Sequence, residues 1–168
     1  NALDALGVDV AGLDCLDVGV STGGFTDCLL QRGAARVAAV DVAYGQLDLR
    51  LREDPRVSAI ERLNARELAP ADLPFAPRLA TIDVSFISLA KILPAVARCL
   101  ADEGQIVAMV KPQFELGRER VGKGVVRDVA DRREAVLGVA RCARGLDLAV
   151  HGFAPSGLPG PKGNRETF

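Results

Sequence analysis

The sequence predicts an α/β fold, a mostly parallel sheet with helices on both faces. Short apolar runs alternate with helix-period segments along the whole chain. The first run ends in a Gly-rich turn, Asp17-Val-Gly-Val-Ser-Thr-Gly-Gly-Phe-Thr26, and the second ends in an acid, Asp41, 24 positions after Asp17. That pairing is the signature of a nucleotide-type ligand at the C-terminal ends of adjacent parallel strands. The glycines let the backbone come close, and the acid accepts hydrogen bonds from ribose hydroxyls.

Taken in order, 1–6 reads as the tail of a helix stopped by Gly7, and Leu13–Val18 as the first strand. A helix is expected over Gly24–Gly33, ended by its last glycine. Strand two is Arg36–Val42; Leu47–Glu53 is helical, and Pro55 closes it. Val57–Glu61 and Leu79–Val84 supply strands three and four, and the helix over Ile87–Leu100 is expected to kink or restart at Pro94. Gly104–Val110 is strand five, and the polar, glycine-containing stretch Pro112–Arg127 is expected to be a mobile loop. Asp131–Arg144 carries an apolar stripe at Ala135, Val136, Val139 and Ala140, so it reads as a helix. Strand six is placed at Leu146–Ala154, a turn-rich segment at Ser156–Asn164, and a last element begins at Arg165. No repeat or long linker divides the chain, so residues 1–168 are expected to form one domain.

Composition narrows the classes. Hydrophobic content of 49%, charged content of 26% and a net charge of −1 suit a globular domain with no global field toward nucleic acid or membrane. Cys15, Cys28, Cys99 and Cys142 are far apart and His151 is the lone histidine, which gives no zinc spacing. The cysteines read as reduced thiols of a cytoplasmic protein. No apolar run reaches the ~18 residues of a membrane span. The chain begins in mid-pattern without Met, as if cut from something longer.

Three motifs compete. Gly19-x-x-x-Gly23-Gly24 is not the Gly-x-Gly-x-x-Gly of dinucleotide binders and offers no clean helix N-terminus to a pyrophosphate. It suits a cofactor without phosphate, such as S-adenosylmethionine, or a tight turn with no ligand. Gly19-Val-Ser21-Thr-Gly23 matches a nucleophile elbow, with Asp83 and His151 in hydrolase order, but it follows the first strand and no His-Gly-Gly segment supplies an oxyanion hole. Gly117–Gly124 matches a P-loop except for the final Ser/Thr, and reads better as a flexible basic loop. Lys111 directly follows a buried strand, where a lysine needs a carboxylate or a catalytic task. Asp83, at the end of strand four, and Glu166, in the final element, are the candidates to meet it. A structural salt bridge is the alternative for each taken alone.

Together these residues resemble the haemolysin A (TlyA-type) family of ribosomal RNA 2′-O-methyltransferases, which share the FtsJ-like catalytic domain. The matching stretches are Asp17–Cys28, Val40–Leu47, Ile82–Leu89, Val110–Glu115 and 160–166, almost end to end. The resemblance implies a Rossmann-like methyltransferase fold, S-adenosylmethionine as cofactor, and methyl transfer to a ribose 2′-hydroxyl of ribosomal RNA. It implies a Lys-Asp-Lys-Glu set in which Asp83, Lys111 and Glu166 are the last three members. The first lysine belongs upstream, next to an N-terminal S4-type RNA-binding domain; no lysine precedes Lys91 here. Asp17, Gly19, Ser21, Thr22, Gly23, Gly24, Phe25 and Asp41 are then expected in the cofactor site, with Asn64 at the adenine edge. Lys111 is expected to contact the hydroxyl, as an ammonium or as a neutral base. No metal is required. Arg118, Arg120, Lys123 and Arg127, with Arg132 and Arg133, are the candidate contacts to RNA phosphates; the alternative is a solvated face shared with Glu119, Asp128 and Asp131. Competing functions are a cofactor- or RNA-binding protein without catalysis, and a haemolysin.

Overall fold

The computed structural model of the chain describes residues 2–160 and 162–168, and every side chain among them except that of Arg118. Asn1 of the expected first helix and Pro161 of the last matching stretch lie outside the described residues. The chain forms two compact units: Asp9–Val84 with Pro94–Ala108, and the remainder.

The larger unit holds a five-stranded sheet of order β3-β2-β1-β4-β5. Its strands are β1 (Asp14–Val18), β2 (Arg36–Val40), β3 (Val57–Ile60), β4 (Leu79–Ile82) and β5 (Gln105–Ala108), and every pairing is parallel. The chain winds outward from β1 to β3, then returns to the other side of β1 for β4 and β5. That reversal opens a crevice at the C-terminal ends of β1 and β4, the place where open α/β sheets bind ligands. Leu16, Val18, Val37, Val40, Leu79 and Ile82 are excluded from solvent, which explains why these strands read as continuous apolar runs. Helix α2 (Gly24–Gln31) buries Thr26, Leu29 and Leu30, and helix α3 (Leu49–Arg52) is a single turn capped by Asp48. Pro94 falls in the first turn of α4 (Leu93–Cys99), after a separate 3-10 turn at Leu89–Lys91, so the helix restarts there.

The second unit contains α1 (Ala2–Leu6), the one-turn α5 (Pro112–Glu115) and the 17-residue α6 (Val129–Gly145). Asp128 caps α6 by accepting from Ala130 N–H, and Ala135 and Val139 face inward. Strands β6 (Pro155–Pro159) and β7 (Arg165–Thr167) pair antiparallel.

Two expectations are corrected. No strand spans Leu146–Ala154: Leu146 still donates to Ala143 O, and Asp147 turns the chain at φ 60°. Only Ala154 joins the hairpin, exchanging both backbone hydrogen bonds with Phe168. The strand lies instead in the segment expected to be turns, where prolines stand at both ends of β6. A two-stranded hairpin tolerates proline where no ladder donor is needed. Pro112–Arg127 is also more ordered than a loop, holding α5 and 3-10 turns at Arg118–Arg120 and Gly122–Gly124.

Candidate active site

The turn after β1 is built by close backbone approach. Gly19 has φ +87°, and a Cβ there would lie 2.4 Å from the carbonyl oxygen of Asp83 on the chain leaving β4. Only glycine lets the ends of β1 and β4 come so near. Ser21 adopts φ 51°, a left-handed conformation uncommon for a residue with a side chain. Its N–H donates to Asp41 Oδ2 at 2.8 Å, and Ala43 N–H donates to Asp41 Oδ1 at 2.8 Å. The acid that the sequence assigns to a ribose therefore also ties two loops together. Each oxygen keeps a second acceptor site.

A shallow, open depression lies at the C-terminal ends of β1, β2 and β3, lined in part by Val20, Ser21, Asp41, Gln46, Leu47 and Glu61. Beneath it Val20, Ala39 and Leu47 pack with Leu51 and Val57. Glu61 accepts from Gly45 N–H at 2.8 Å and pairs with Arg52; the Arg52 hydrogen bond holds its carboxyl below the ordinary glutamate value. Gln46 and Glu61 were not singled out from sequence. Asn64 does not line this pocket; its Oδ1 accepts from Arg66 N–H, a local turn two residues on. Gly23 caps α2 and Thr22 O accepts from Asp48 N–H, while Gly24 and Phe25 begin the helix.

Asp17 is fully buried and accepts from Thr26 Oγ1 at 2.7 Å and Thr81 Oγ1 at 3.0 Å. It joins β1, α2 and β4 from inside the protein. Burial pushes its carboxyl up to about 6, against the two threonine hydrogen bonds that favour the anion. Asp83 follows β4, its N–H donating to Val18 O and its Oδ1 removed from solvent.

In the second unit Val110 and Thr167 form an antiparallel bridge. One step along that register Lys111 stands opposite Glu166. Lys111 Nζ donates to Ser85 Oγ at 3.0 Å. Glu166 is 9% exposed, and a Cβ on Gly160 would lie 2.7 Å from its Oε1, so the turn before β7 leaves room for this carboxylate. Gln113 Nε2 donates to Glu166 Oε1 at 3.4 Å. Glu115 accepts from Ser88 Oγ at 2.6 Å and from Leu89 N–H at 2.8 Å, capping the 3-10 turn. Sequence reasoning gave Glu115 no role of its own. Phe86, also missed, is 91% exposed at φ 64°, its ring 5.1 Å from that of Phe114.

The basic cluster is partly spent. Arg120 pairs with Asp131, and Arg132 donates to the carbonyl of Arg127. Lys123, Arg127 and Arg133 are exposed, and the side chain of Arg118 lies outside the described set. Asn164, 2% exposed, fixes this segment by accepting from Val126 N–H at 2.9 Å and donating to Gly124 O at 2.8 Å. His151 is exposed in an irregular stretch, and Gly117–Gly124 forms no strand-loop-helix phosphate cradle. Among the described residues no acid, cysteine and histidine cluster could hold a metal ion, and no helix is long and apolar enough to cross a membrane.

A 16S/23S rRNA (cytidine-2′-O)-methyltransferase TlyA from Mycobacterium tuberculosis is 52% identical over 168 residues, covering 99% of this chain and 63% of its own length. The chain thus spans less than two thirds of that curated relative. A solved structure from Streptococcus thermophilus, provisionally named a hemolysin, superposes with a TM-score of 0.97 at 46% identity, covering 99% of this chain and 61% of its own. An S-adenosylmethionine-dependent methyltransferase from Mesorhizobium loti shares the fold at 22% identity, with a TM-score of 0.57 over 92% of this chain and 80% of its own. That fold is the Rossmann-like methyltransferase fold. The FtsJ-like methyltransferase family profile matches residues 1–168, and the chain belongs to that family.

Proposed function

We propose that this chain is the methyl-transfer part of an S-adenosylmethionine-dependent RNA 2′-O-methyltransferase that acts on ribosomal RNA in the cytoplasm. The observation that carries this reading is the acid-lined pocket at the ends of β1, β2 and β3. A phosphate there would meet the Asp41 and Glu61 carboxylates, whereas a nucleoside joined to a cationic sulfonium gains from both. Asp41 has acceptor sites left for ribose hydroxyls, and Glu61 for an amino group. Ser21 and Thr22, on the turn the glycines create, and Phe25, at the start of α2, are read as bordering the methionine end. S-adenosylmethionine, when bound, supplies an electrophilic methyl group.

The chain's own residues then have the nucleophile to hold. Lys111, donating to Ser85 and facing Glu166 in register, offers an ammonium to the 2′-oxygen and offsets the negative charge that grows there. Asp83, two residues before Ser85, and Glu166 are the other members of the set that the family resemblance implies. Phe86 offers an exposed ring on which a nucleobase can stack. Lys123, Arg127 and Arg133 are read as phosphate contacts, and Arg118 and Arg120 are kept as candidates from the sequence. Ribosomal RNA as substrate rests on the name of the Mycobacterium relative.

The test incubates the intact protein with unmodified ribosomal RNA and S-adenosylmethionine, and maps 2′-O-methyl groups by mass spectrometry. One modified nucleotide type, lost in Lys111→Ala with cofactor binding retained, supports the reading. Cofactor binding without transfer supports the non-catalytic alternative instead.

A further inference from the structure

We propose that Arg52 is a positioning residue for the base of the cofactor: it holds the Glu61 carboxylate so that one oxygen, Oε2, is presented to the 6-amino group of adenine. The inference rests on the cofactor reading above and gives that site its means of choosing a base. Arg52, Glu61, Gly45 and Asp41 all belong to the larger unit.

Glu61 follows β3, and its side chain is 13% exposed at the rim of the depression. Both of its hydrogen bonds arrive at one atom, because Gly45 N–H and Arg52 Nη2 donate to Oε1. A carboxylate oxygen has two acceptor positions, so Oε1 is filled. Oε2 accepts from no described residue and is not sealed from solvent. An arginine that served only as a structural partner would gain most by engaging both oxygens, and this one leaves the second open. The two donors reach Oε1 from different elements, which fixes the plane of the carboxylate and hence the direction of Oε2. Arg52 is itself held, at the end of the turn of α3 that Asp48 caps and that Leu51 packs against Val20, Ala39 and Leu47. The same guanidinium keeps Glu61 an anion.

The order of the strands says which donor Oε2 suits. From β1 outward the sheet edge runs β1, β2, β3, with neighbouring strands about 4.8 Å apart. It presents in turn the Gly-rich turn, Asp41 and Glu61. S-adenosylmethionine has the same order of parts: amino acid, ribose, base. With the ribose on Asp41, the group one strand further out is the base. Adenine carries one N–H donor group, its 6-amino group, since its free ring nitrogens only accept. The other amine of the cofactor lies at the opposite end, on the amino acid.

The experiment measures by calorimetry how the intact protein binds S-adenosylhomocysteine and the analogue that lacks only the 6-amino group. Wild type is compared with Arg52→Met, which keeps much of the bulk and loses the donors, and with Arg52→Lys. Wild type is expected to prefer the adenine ligand by about 10–100-fold, the scale of a hydrogen bond to a charged group. Arg52→Met is expected to prefer it by no more than about threefold, and to bind the analogue within about twofold of wild type. Arg52→Lys, which keeps the charge, is expected to fall between the two. The wild-type ratio should stay level from about pH 8 to 5, whereas the remnant in Arg52→Met shrinks as an unpaired Glu61 takes up its proton. Because the preference is a ratio within each protein, a loss of folded material does not mimic the result. A purely structural Arg52–Glu61 pair weakens binding of both ligands equally. That result, or a wild type without preference, overturns the proposal and leaves the cofactor reading standing. A folded wild type that binds neither ligand overturns both.

Discussion

Replacing Gly19 with alanine tests the geometry on which the cofactor turn depends. The new Cβ would lie 2.4 Å from Asp83 O and 2.9 Å from Asp83 C, both backbone atoms that no rotamer change can move. Carbon–oxygen contacts begin at about 3.3 Å, so one strand end must retreat by roughly 0.9 Å. Gly19 N–H donates to Val40 O at 2.9 Å, and Asp83 N–H to Val18 O at 2.9 Å. A shift of that size breaks at least one of these bonds, at about 0.5–1.5 kcal/mol. Holding alanine at positive φ adds about 1–2 kcal/mol. The expected loss is about 1.5–3.5 kcal/mol, which for a urea slope of about 2 kcal/mol/M lowers the midpoint by about 0.8–1.8 M. Gly24→Ala is the matched control. Its Cβ meets nothing within 4 Å at the start of α2, so stability is expected within about 0.5 kcal/mol of wild type or slightly above. A Gly19→Ala midpoint within about 0.3 M of wild type, or an equal loss in Gly24→Ala, would refute the close-approach argument.

Other outcomes follow from single contacts. Asp17 is pushed up to about 6 from 3.8, so the folded state binds its proton more tightly than the unfolded state. Its contribution to stability is therefore fully present below pH 3.8 and is lost as pH rises through about 6. Asp17→Asn is expected to gain on wild type between pH 4 and 7, by on the order of 1–3 kcal/mol in denaturation curves; a pH-independent difference contradicts this. Glu61→Gln is expected to weaken S-adenosylmethionine binding about tenfold in calorimetry with little change in melting, and unchanged affinity would remove Glu61 from the site. Asn164→Ala leaves Val126 N–H and Gly124 O without their side-chain partner, so amide exchange at residues 122–127 should speed up at least tenfold. Phe86→Ala is expected to leave the melting temperature in place and slow RNA methylation about tenfold; a fall in melting with full activity would make the ring structural.

The centre of the sheet was legible because β4 and most of β1 and β2 are buried on both faces, so runs such as Leu79–Ile82 show no alternation of apolar and charged positions. Lys111 and Asp83 stand out in the sequence because each is an ionisable residue at the end of an apolar run. The hairpin was not legible. Leu146–Ala154 has the apolar content of a strand, while Pro155–Pro159 has the composition of a turn, and what decides between them is pairing with β7 far along the chain. Glu61 and Asn164 were hidden for a related reason. Each acts through contacts to residues 9 to 40 positions away, which no local pattern shows. An asparagine after a strand looks the same whether or not it closes its own turn, as Asn64 does by accepting from Arg66 N–H.

Asp41 has a consequence for how this pocket can change over evolution. The carboxylate proposed to meet the ligand also fastens Ser21 and Ala43. A substitution that altered ligand choice at this position would release both loops at once, so the shortest mutational paths to a new cofactor pass through a loosened turn. Drift in ligand preference is easier at Gln46, which lines the same cavity without this second duty among the bonds described. The family's cofactor should therefore be harder to exchange than its substrate.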